Sequence, residues 1–162
     1  MRFILIDRID QLEPGKRAEG HKLISPDEEY FRDHFPGYPL VPGVLVLESL
    51  AQLGGRLVEA SVREATGQRV LPMLAKVERA KFLQPVRPGD RLDLAIDLLA
   101  VTGDAARVTG VARVGARKAA TADIMYAMLD VGRGGRVLDE AQASALYEWS
   151  DRIWRQLREE PA

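Results

Sequence analysis

The sequence contains no cysteine and has two histidines, His21 and His34. Without cysteine the chain can form no disulfide, thiolate nucleophile or zinc–thiolate site, and two histidines are too few for a histidine-rich metal site. No segment reaches 18 uncharged apolar residues, so we predict no membrane-spanning helix. The first residues, MRFILIDRID, are too short and too charged for a signal peptide. We therefore expect a cytoplasmic protein without a metal site.

The chain also lacks a strong net charge, because 23 basic residues stand against 24 acidic ones, for a net charge of −1. Such a balance provides no overall field that would attract nucleic acid or a membrane surface. The 162 residues are 46% hydrophobic and 29% charged, which is typical of a soluble globular protein. This length predicts one domain that buries a substantial core.

The strongest secondary-structure prediction is a long helix from Pro42 to Gly67. Proline suits the first helical position, and glycine suits the end. The first four turns have almost no polar face, which predicts a buried helix. Gly54 and Gly55 are unfavourable inside a helix, so we expect another element to approach closely there. The apolar residues of these turns are Val44, Leu45, Val46, Leu47, Leu50, Ala51, Leu53, Leu57 and Val58.

Polar residues return to this helix at Arg56, Glu59, Arg63 and Glu64. A polar face on a helix is usually solvated. We therefore expect the C-terminal end of the helix to emerge into solvent.

Most of the other core segments are predicted as strands, at residues 17–25, 69–83, 90–102, 105–117 and 119–131. Apolar residues alternate most clearly at Leu92, Leu94 and Ile96. Short turns between the strands predict an antiparallel meander. Residues 3–12 favour a helical turn or two, and Ser25-Pro26 is typical of the start of a short helix. The prediction is an α+β fold in which a curved antiparallel sheet wraps around one long buried helix.

The C-terminal part is predicted as a hinge at residues 132–136 (GRGGR) followed by an amphipathic helix over residues 139–159. Apolar residues recur there at spacings of three and four. Trp149 and Trp154 are expected to pack this helix onto the body or onto a partner chain. We assign residues 1–131 to the main domain and residues 132–162 to an extension of the same domain.

Two side chains suggest acid–base chemistry. His34 precedes the tight turn at Pro36-Gly37, which presents its ring, and imidazole suits proton transfer near neutral pH. Glu48 lies in the apolar helix, where a carboxylate must find a partner or take up a proton. The alternatives are that His34 is structural and that Glu48 is a rim residue that reaches solvent.

Two neighbours complete this candidate site. Gly43 starts the helix, so its N–H is a free donor at the positive end of the dipole, and a substrate carbonyl could approach it closely. Gln52 lies four residues after Glu48 and could hydrogen-bond it. A base, an acid and an oxyanion donor together suit proton abstraction beside a carbonyl and loss of a leaving group.

The segment HFPGYPLVPGVLVLESLAQ, which begins at His34, resembles the signature of the 3-hydroxyacyl-acyl-carrier-protein dehydratases of fatty acid synthesis, the FabZ type. Two more segments are similar to this family, LIDRIDQLEPGKR at residues 5–17 and MLAKVERAKFLQPVRPGDRLDL at residues 73–94. The resemblance covers most of the chain but not the C-terminal helix, which extends beyond the usual end of the family. It implies the hot-dog fold.

The resemblance also implies a mechanism without a metal or a redox cofactor. His34 would remove the C2 proton of a 3-hydroxyacyl thioester, Glu48 would protonate the departing hydroxyl, and the Gly43 N–H would polarise the thioester carbonyl. Gln52 would orient Glu48. A sister family that also isomerises the double bond has aspartate at the position of Glu48, which favours a dehydratase without isomerase activity.

The implied partner is an acyl carrier protein that presents a 3-hydroxyacyl phosphopantetheine thioester. Because carrier proteins are acidic, a basic rim is expected, and the alternative for each of its residues is an ordinary solvated charge. Candidate rim residues are Arg79, Lys81, Arg87 and Arg91, and candidate substrate-binding residues are Phe35, Phe82 and Leu83. In this family the histidine and glutamate of one site come from different subunits of a dimer, and dimers often assemble into hexamers.

Two other functions stay open at this point. A hot-dog thioesterase shares the fold and the acyl group but hydrolyses the thioester. A non-catalytic acyl-binding or carrier-protein-binding subunit would need neither His34 nor Glu48. The presence of both residues favours the dehydratase.

Overall fold

The computed structural model describes residues 3–133 and 138–158. Six strands and two long helices follow one another along the chain, with a short 3₁₀ helix at Glu29–Arg32. No helix in these two ranges has the length and apolar character needed to cross a membrane. The elements are β1 (Arg8–Glu13), β2 (Arg17–Leu23), α1 (Gly43–Thr66), β3 (Val70–Phe82), β4 (Arg91–Thr102), β5 (Ala105–Val114), β6 (Arg117–Asp130) and α2 (Glu140–Gln156).

The strands form one antiparallel sheet in the order β1-β2-β4-β5-β6-β3, and the sheet packs around α1. Alternate residues of β4 point inward, and Leu92, Leu94 and Ile96 are fully buried. Leu50, Leu53 and Leu57 of α1 belong to the same core. The predicted arrangement of a sheet around a long central helix is therefore confirmed.

Three local predictions are wrong. Residues 8–13 form a strand rather than a helical turn, because Ile9 pairs with Gly20 of β2 and fills the core. The short helix begins at Glu29, after the predicted start at Ser25-Pro26. The meander is confirmed for β4, β5 and β6, but β3 pairs with β6 at the edge of the sheet. In the segment after β3, the Val86 carbonyl accepts from the Val41 N–H at 2.9 Å, and the chain thus leads away from β3.

Helix α1 begins and ends as predicted. Gly67 has a φ of 72° and donates its N–H to the Arg63 carbonyl at 2.9 Å, which closes the helix. The first turn is less buried than predicted, because Val44 is 67% exposed while Val46 is only 3% exposed.

Gly54 is the point of closest approach between α1 and the sheet. A Cβ atom there would lie 2.5 Å from the Tyr126 hydroxyl oxygen and 3.1 Å from a Val108 methyl carbon. That hydroxyl donates to the Ala51 carbonyl at 2.7 Å, so it is held in place. The close approach predicted at the two glycines is confirmed at Gly54, whereas a Cβ at Gly55 would meet nothing nearer than 3.7 Å.

We predict opposite effects on stability for alanine at these adjacent glycines. Gly54→Ala should lower the free energy of unfolding by about 2 kcal/mol, because the added methyl group overpacks the contact with Tyr126. Gly55→Ala should raise it by about 0.5–1 kcal/mol, because alanine is the better helix former and the space is open. Urea unfolding of both variants measures this difference. Equal effects at the two positions would contradict the described contact.

Helix α2 covers Arg56 and Glu59 of α1, so the prediction that the polar C-terminal end of α1 emerges into solvent is wrong for these two residues, whereas it is confirmed for Glu64, which is exposed. Arg56 and Glu59 are only 3% and 5% exposed. Arg56 forms ion pairs with Glu59 and, at 3.5 Å, with Asp151 of α2. The Tyr147 hydroxyl of α2 donates to Glu59 Oε1 at 2.8 Å. Charged residues can be buried here because each finds a partner across the two helices.

The two tryptophans of α2 have different environments. Trp154 is half-buried and packs against the main core, whereas Trp149 is 50% exposed. The predicted packing onto the body is thus confirmed for Trp154 and not for Trp149. Of the predicted hinge at residues 132–136, residues 134–136 lie outside the described ranges, and residue 159 of the predicted helix does as well.

Candidate active site

His34 lies in the loop between the 3₁₀ helix and α1. Its N–H donates to the Tyr30 carbonyl at 2.9 Å, and its carbonyl accepts from Leu40 N–H at 3.0 Å. The ring Nδ1 lies 2.9 Å from the Leu40 carbonyl oxygen. Since a carbonyl oxygen can only accept, Nδ1 carries the hydrogen and the neutral ring presents Nε2 as an acceptor. The loop therefore holds His34 in the tautomer that a general base needs.

A cavity of about 320 Å³ brings His34 together with Gly43 and Phe82. Gly43 is the first residue of α1, and its N–H has no hydrogen-bond partner in residues 3–133 and 138–158. A Cβ atom at Gly43 would lie 3.0 Å from the Phe82 ring, so a larger residue would displace that ring. A free N–H at the positive end of a helix is suited to bind a partly negative oxygen.

Phe35 and Leu83 flank this cavity differently. Leu83 is among its lining residues, whereas Phe35 is not. The Phe35 ring stacks on the His34 ring with centroids 4.1 Å apart. Phe35 thus contacts the histidine rather than the cavity.

Glu48 is half-buried in the second turn of α1 and is held by Gln52. Gln52 Nε2 donates to Glu48 Oε1 at 3.0 Å, so the predicted hydrogen bond is confirmed. Gln52 Oε1 accepts from the Leu5 N–H at 2.9 Å, and its Nε2 also contacts the Phe3 carbonyl. The N-terminal segment thereby fixes Gln52, and Gln52 in turn fixes Glu48.

A second cavity, of about 230 Å³, contains Glu48 and Gln52. Tyr126 of β6 lines it as well, a residue that the sequence analysis missed. Burial, and secondly the negative charge of Glu48, raise the pKa of Tyr126 above its ordinary value, so its hydroxyl stays protonated. The sequence signal that could have identified Tyr126 is its inward-facing position on β6, on the same face as Ala122 and Ile124.

His34 and Glu48 line different cavities within one chain. Gly43 and Phe82 accompany the histidine, and Gln52 accompanies the glutamate. Within the single chain the two parts of the candidate site therefore lie apart, and we call these two parts, one in each cavity, its half-sites.

The four candidate rim residues have separate surroundings. Arg87 lies over the Tyr38 ring, 4.7 Å from its centroid, and donates a hydrogen bond to the Tyr38 hydroxyl. The Tyr38 N–H donates to the Phe35 carbonyl at 2.9 Å, so Tyr38 connects Arg87 to the His34 loop. Arg79 pairs with Asp123 of β6, and Lys81 is exposed. Arg91 pairs with Asp93 at 2.7 Å, beside Asp10. Of the four, Arg87 contacts the loop that carries His34.

Across the two described ranges, no group of three histidine, aspartate or glutamate side chains is placed to hold a metal ion.

Comparison with known proteins identifies the family. A model described as a FabA-like domain matches residues 1–123. The 3-hydroxyacyl-[acyl-carrier-protein] dehydratase FabZ of Clostridium acetobutylicum is 43% identical over 124 residues, which cover 76% of this chain and 86% of that protein. The chain belongs to the FabZ dehydratase family. The FabZ of Chloroflexus aggregans is 43% identical over 128 residues, or 79% of this chain and 87% of that protein.

A solved structure agrees with the fold of the FabZ family. The dehydratase heterocomplex ApeI:P from Xenorhabdus doucetiae contains a chain that matches with a TM-score of 0.53 at 23% identity. The match covers 74% of this chain and 96% of that chain. The predicted hot-dog fold is confirmed. Helix α2 begins at Glu140, beyond residue 123, where the FabA-like model ends.

Proposed function

We propose that this chain dehydrates 3-hydroxyacyl thioesters of acyl carrier protein to trans-2-enoyl thioesters in fatty acid biosynthesis. The observation that carries this proposal is the His34 cavity, where an imidazole with Nε2 as acceptor and the free Gly43 N–H meet. The names of the FabZ relatives support the same reaction. They do not favour the thioesterase or the non-catalytic subunit.

The proposed reaction moves two protons. His34 Nε2 takes the proton from C2, and the electron pair of that C–H bond forms the C2–C3 double bond. The C3–O bond breaks, and the oxygen leaves as water with a proton from Glu48. His34 then releases its proton to solvent. Glu48 takes up a proton from solvent and so regains its acid form.

Charge builds on the thioester oxygen when C2 loses its proton. The Gly43 N–H, at the N-terminus of α1, donates to this oxygen and is helped by the helix dipole. Phe82 and Leu83 line the cavity at this point, while Phe35 packs on the base. Gln52 keeps Glu48 oriented.

The complete site needs a second copy of the chain. The two half-sites line different cavities, so we propose a homodimer in which His34 of one subunit faces Glu48 of the other. Such a dimer could assemble further into a trimer of dimers. Residues 132–162 would extend the same domain, and the enzyme would work in the cytoplasm.

The carrier protein would dock on basic residues around the entrance. Arg87 is the best placed of the candidates, because it contacts Tyr38 of the His34 loop. Arg79, Lys81 and Arg91 would contribute charge at longer range.

The test is an assay of the purified chain with a 3-hydroxyacyl thioester of acyl carrier protein. Mass spectrometry should show loss of one water from the acyl group, and hydration of the crotonyl thioester should show the reverse. No loss of water would refute the dehydratase, and release of free thiol would point to a thioesterase.

A further inference from the structure

Helix α2 runs antiparallel to α1. The Tyr147 hydroxyl donates to Glu59 at 2.8 Å, and one turn later on α2 Asp151 pairs with Arg56 at 3.5 Å. Residues further along α2 therefore contact residues earlier along α1. The turn of α2 after Asp151 thus faces the turn of α1 that precedes Arg56.

Trp154 lies on this turn of α2, beside Gln52 of α1. Trp154 follows Asp151 by three residues, and Gln52 precedes Arg56 by four, so they lie about 4.5 and 6 Å further along their helices. Trp154, Gln52 and Glu48 line one cavity of about 230 Å³. The half-buried indole therefore covers the cavity on the side where Gln52 donates to Glu48.

Three contacts fix this part of α2. The Trp154 Nε1–H donates to Ser150 Oγ at 2.9 Å, which orients the indole. Trp154 also packs against the main hydrophobic core. The Leu157 carbonyl accepts from the Ile9 N–H of β1 at 2.9 Å. The indole is thus held from its own helix, from the core and from the sheet.

The N-terminal segment connects α2 to Gln52 from the other side. The Leu5 N–H donates to Gln52 Oε1 at 2.9 Å, and the Phe3 carbonyl accepts from Gln52 Nε2. Ile153 and Leu157 of α2 line a further cavity together with Leu5. The last turns of α2 therefore lie next to Gln52 and next to the segment that holds Gln52.

Water would compete for the hydrogen bond between Gln52 and Glu48 if the indole were absent. A water molecule takes up about 30 Å³, so the cavity without the indole would have room for several. A hydrogen bond is stronger where water is excluded. An acid that is held in one orientation also reacts faster than one that moves between several.

We propose that Trp154 is a positioning residue for the acid: it keeps water from the hydrogen bond between Gln52 and Glu48 and so holds the Glu48 carboxyl toward the leaving hydroxyl. This inference rests on the proposed dehydratase function. It gives α2 a part in the reaction, although α2 lies outside the range that the FabA-like model matches.

The first test compares three variants of the full chain by steady-state kinetics with a 3-hydroxyacyl carrier-protein thioester. Trp154→Ala should lower kcat about tenfold, because Glu48 loses its fixed orientation, and should change KM less than about twofold. Trp154→Phe keeps a ring in the cavity and should restore most of kcat. Trp149→Ala is the matched control, since Trp149 is 50% exposed and is not among the residues that line the cavity. It should leave kcat within about twofold.

The second test asks whether Trp154 acts through Glu48. In a Glu48→Gln background the acid is already lost, so adding Trp154→Ala should change the residual rate less than about twofold. A purely structural role would give the same tenfold loss in both backgrounds, and that result would overturn the inference. An unchanged kcat for a folded Trp154→Ala variant would overturn it as well.

Thermal unfolding verifies that each variant is folded. If Trp154→Ala is not folded, Ser150→Ala decides, because it removes only the acceptor that orients the indole. Ser150→Ala should lower kcat about threefold at unchanged KM, and an unchanged kcat would overturn the inference. An inactive wild type would instead overturn the proposed dehydratase function.

Discussion

Replacing His34 by alanine should lower kcat for dehydration about a thousandfold, as is usual for loss of a positioned general base. In the proposed mechanism Nε2 accepts the C2 proton, because the Leu40 carbonyl lies 2.9 Å from Nδ1 and accepts its hydrogen. Alanine removes that acceptor, and no other imidazole lines the cavity. Substrate binding should change far less, because Gly43 and Phe82 remain.

The control for this variant is His21→Ala, which removes the other histidine of the chain. His21 Nδ1 lies 2.7 Å from Asp10, and His21 lines neither of the two half-site cavities. Its replacement should leave kcat within about twofold, as expected for a change outside the candidate site. Steady-state kinetics of both variants, with thermal unfolding to verify folding, measures the difference. A His34→Ala enzyme at full rate would exclude His34 as the base.

The central helix and the regular strands could be predicted because their signals are local. In α1 the apolar residues, the proline before the helix and Gly67 after it all indicate the same element. In β4 the alternation of Leu92, Leu94 and Ile96 matches one buried face. Where the local sequence signals agree in this way, the secondary structure of a segment can be predicted without knowledge of the segments that pack against it.

The burial of Arg56 and Glu59 could not be predicted in this way. Charges at successive turns of a helix normally indicate a solvated face. Here the covering residues, Tyr147 and Asp151, come from α2, which lies far along the chain. The prediction of a helical turn at residues 3–12 was wrong for a similar reason, because the pairing of β1 with β2 outweighs the local helical pattern of the sequence.

Only some residues of the candidate site could be predicted from the sequence. His34, Gly43 and Glu48 stand out because polar or flexible residues interrupt an apolar segment. Tyr126 and Trp154 do not stand out, since an aromatic residue on a strand or an amphipathic helix ordinarily indicates packing. Only the folded chain shows that both line the cavity of Glu48.

Two inactive variants should restore activity when they are combined in one dimer. Glu48→Gln keeps the shape of the side chain and an oxygen for the hydrogen bond from Gln52, but it cannot supply the proton for the leaving hydroxyl. Alone it should lose activity about a hundredfold or more. In a mixed dimer with His34→Ala, one of the two sites would receive both native residues and the other would receive neither.

This result follows only if the half-sites of different subunits face each other. A mixed dimer purified through two different affinity tags should then recover about half of the wild-type rate per dimer. If His34 and Glu48 acted within one chain, every site would lack one of them, and the mixed dimer would stay inactive. The two separate cavities of the single chain favour the first outcome. The required control is each variant carrying both tags, which must remain inactive after the same purification.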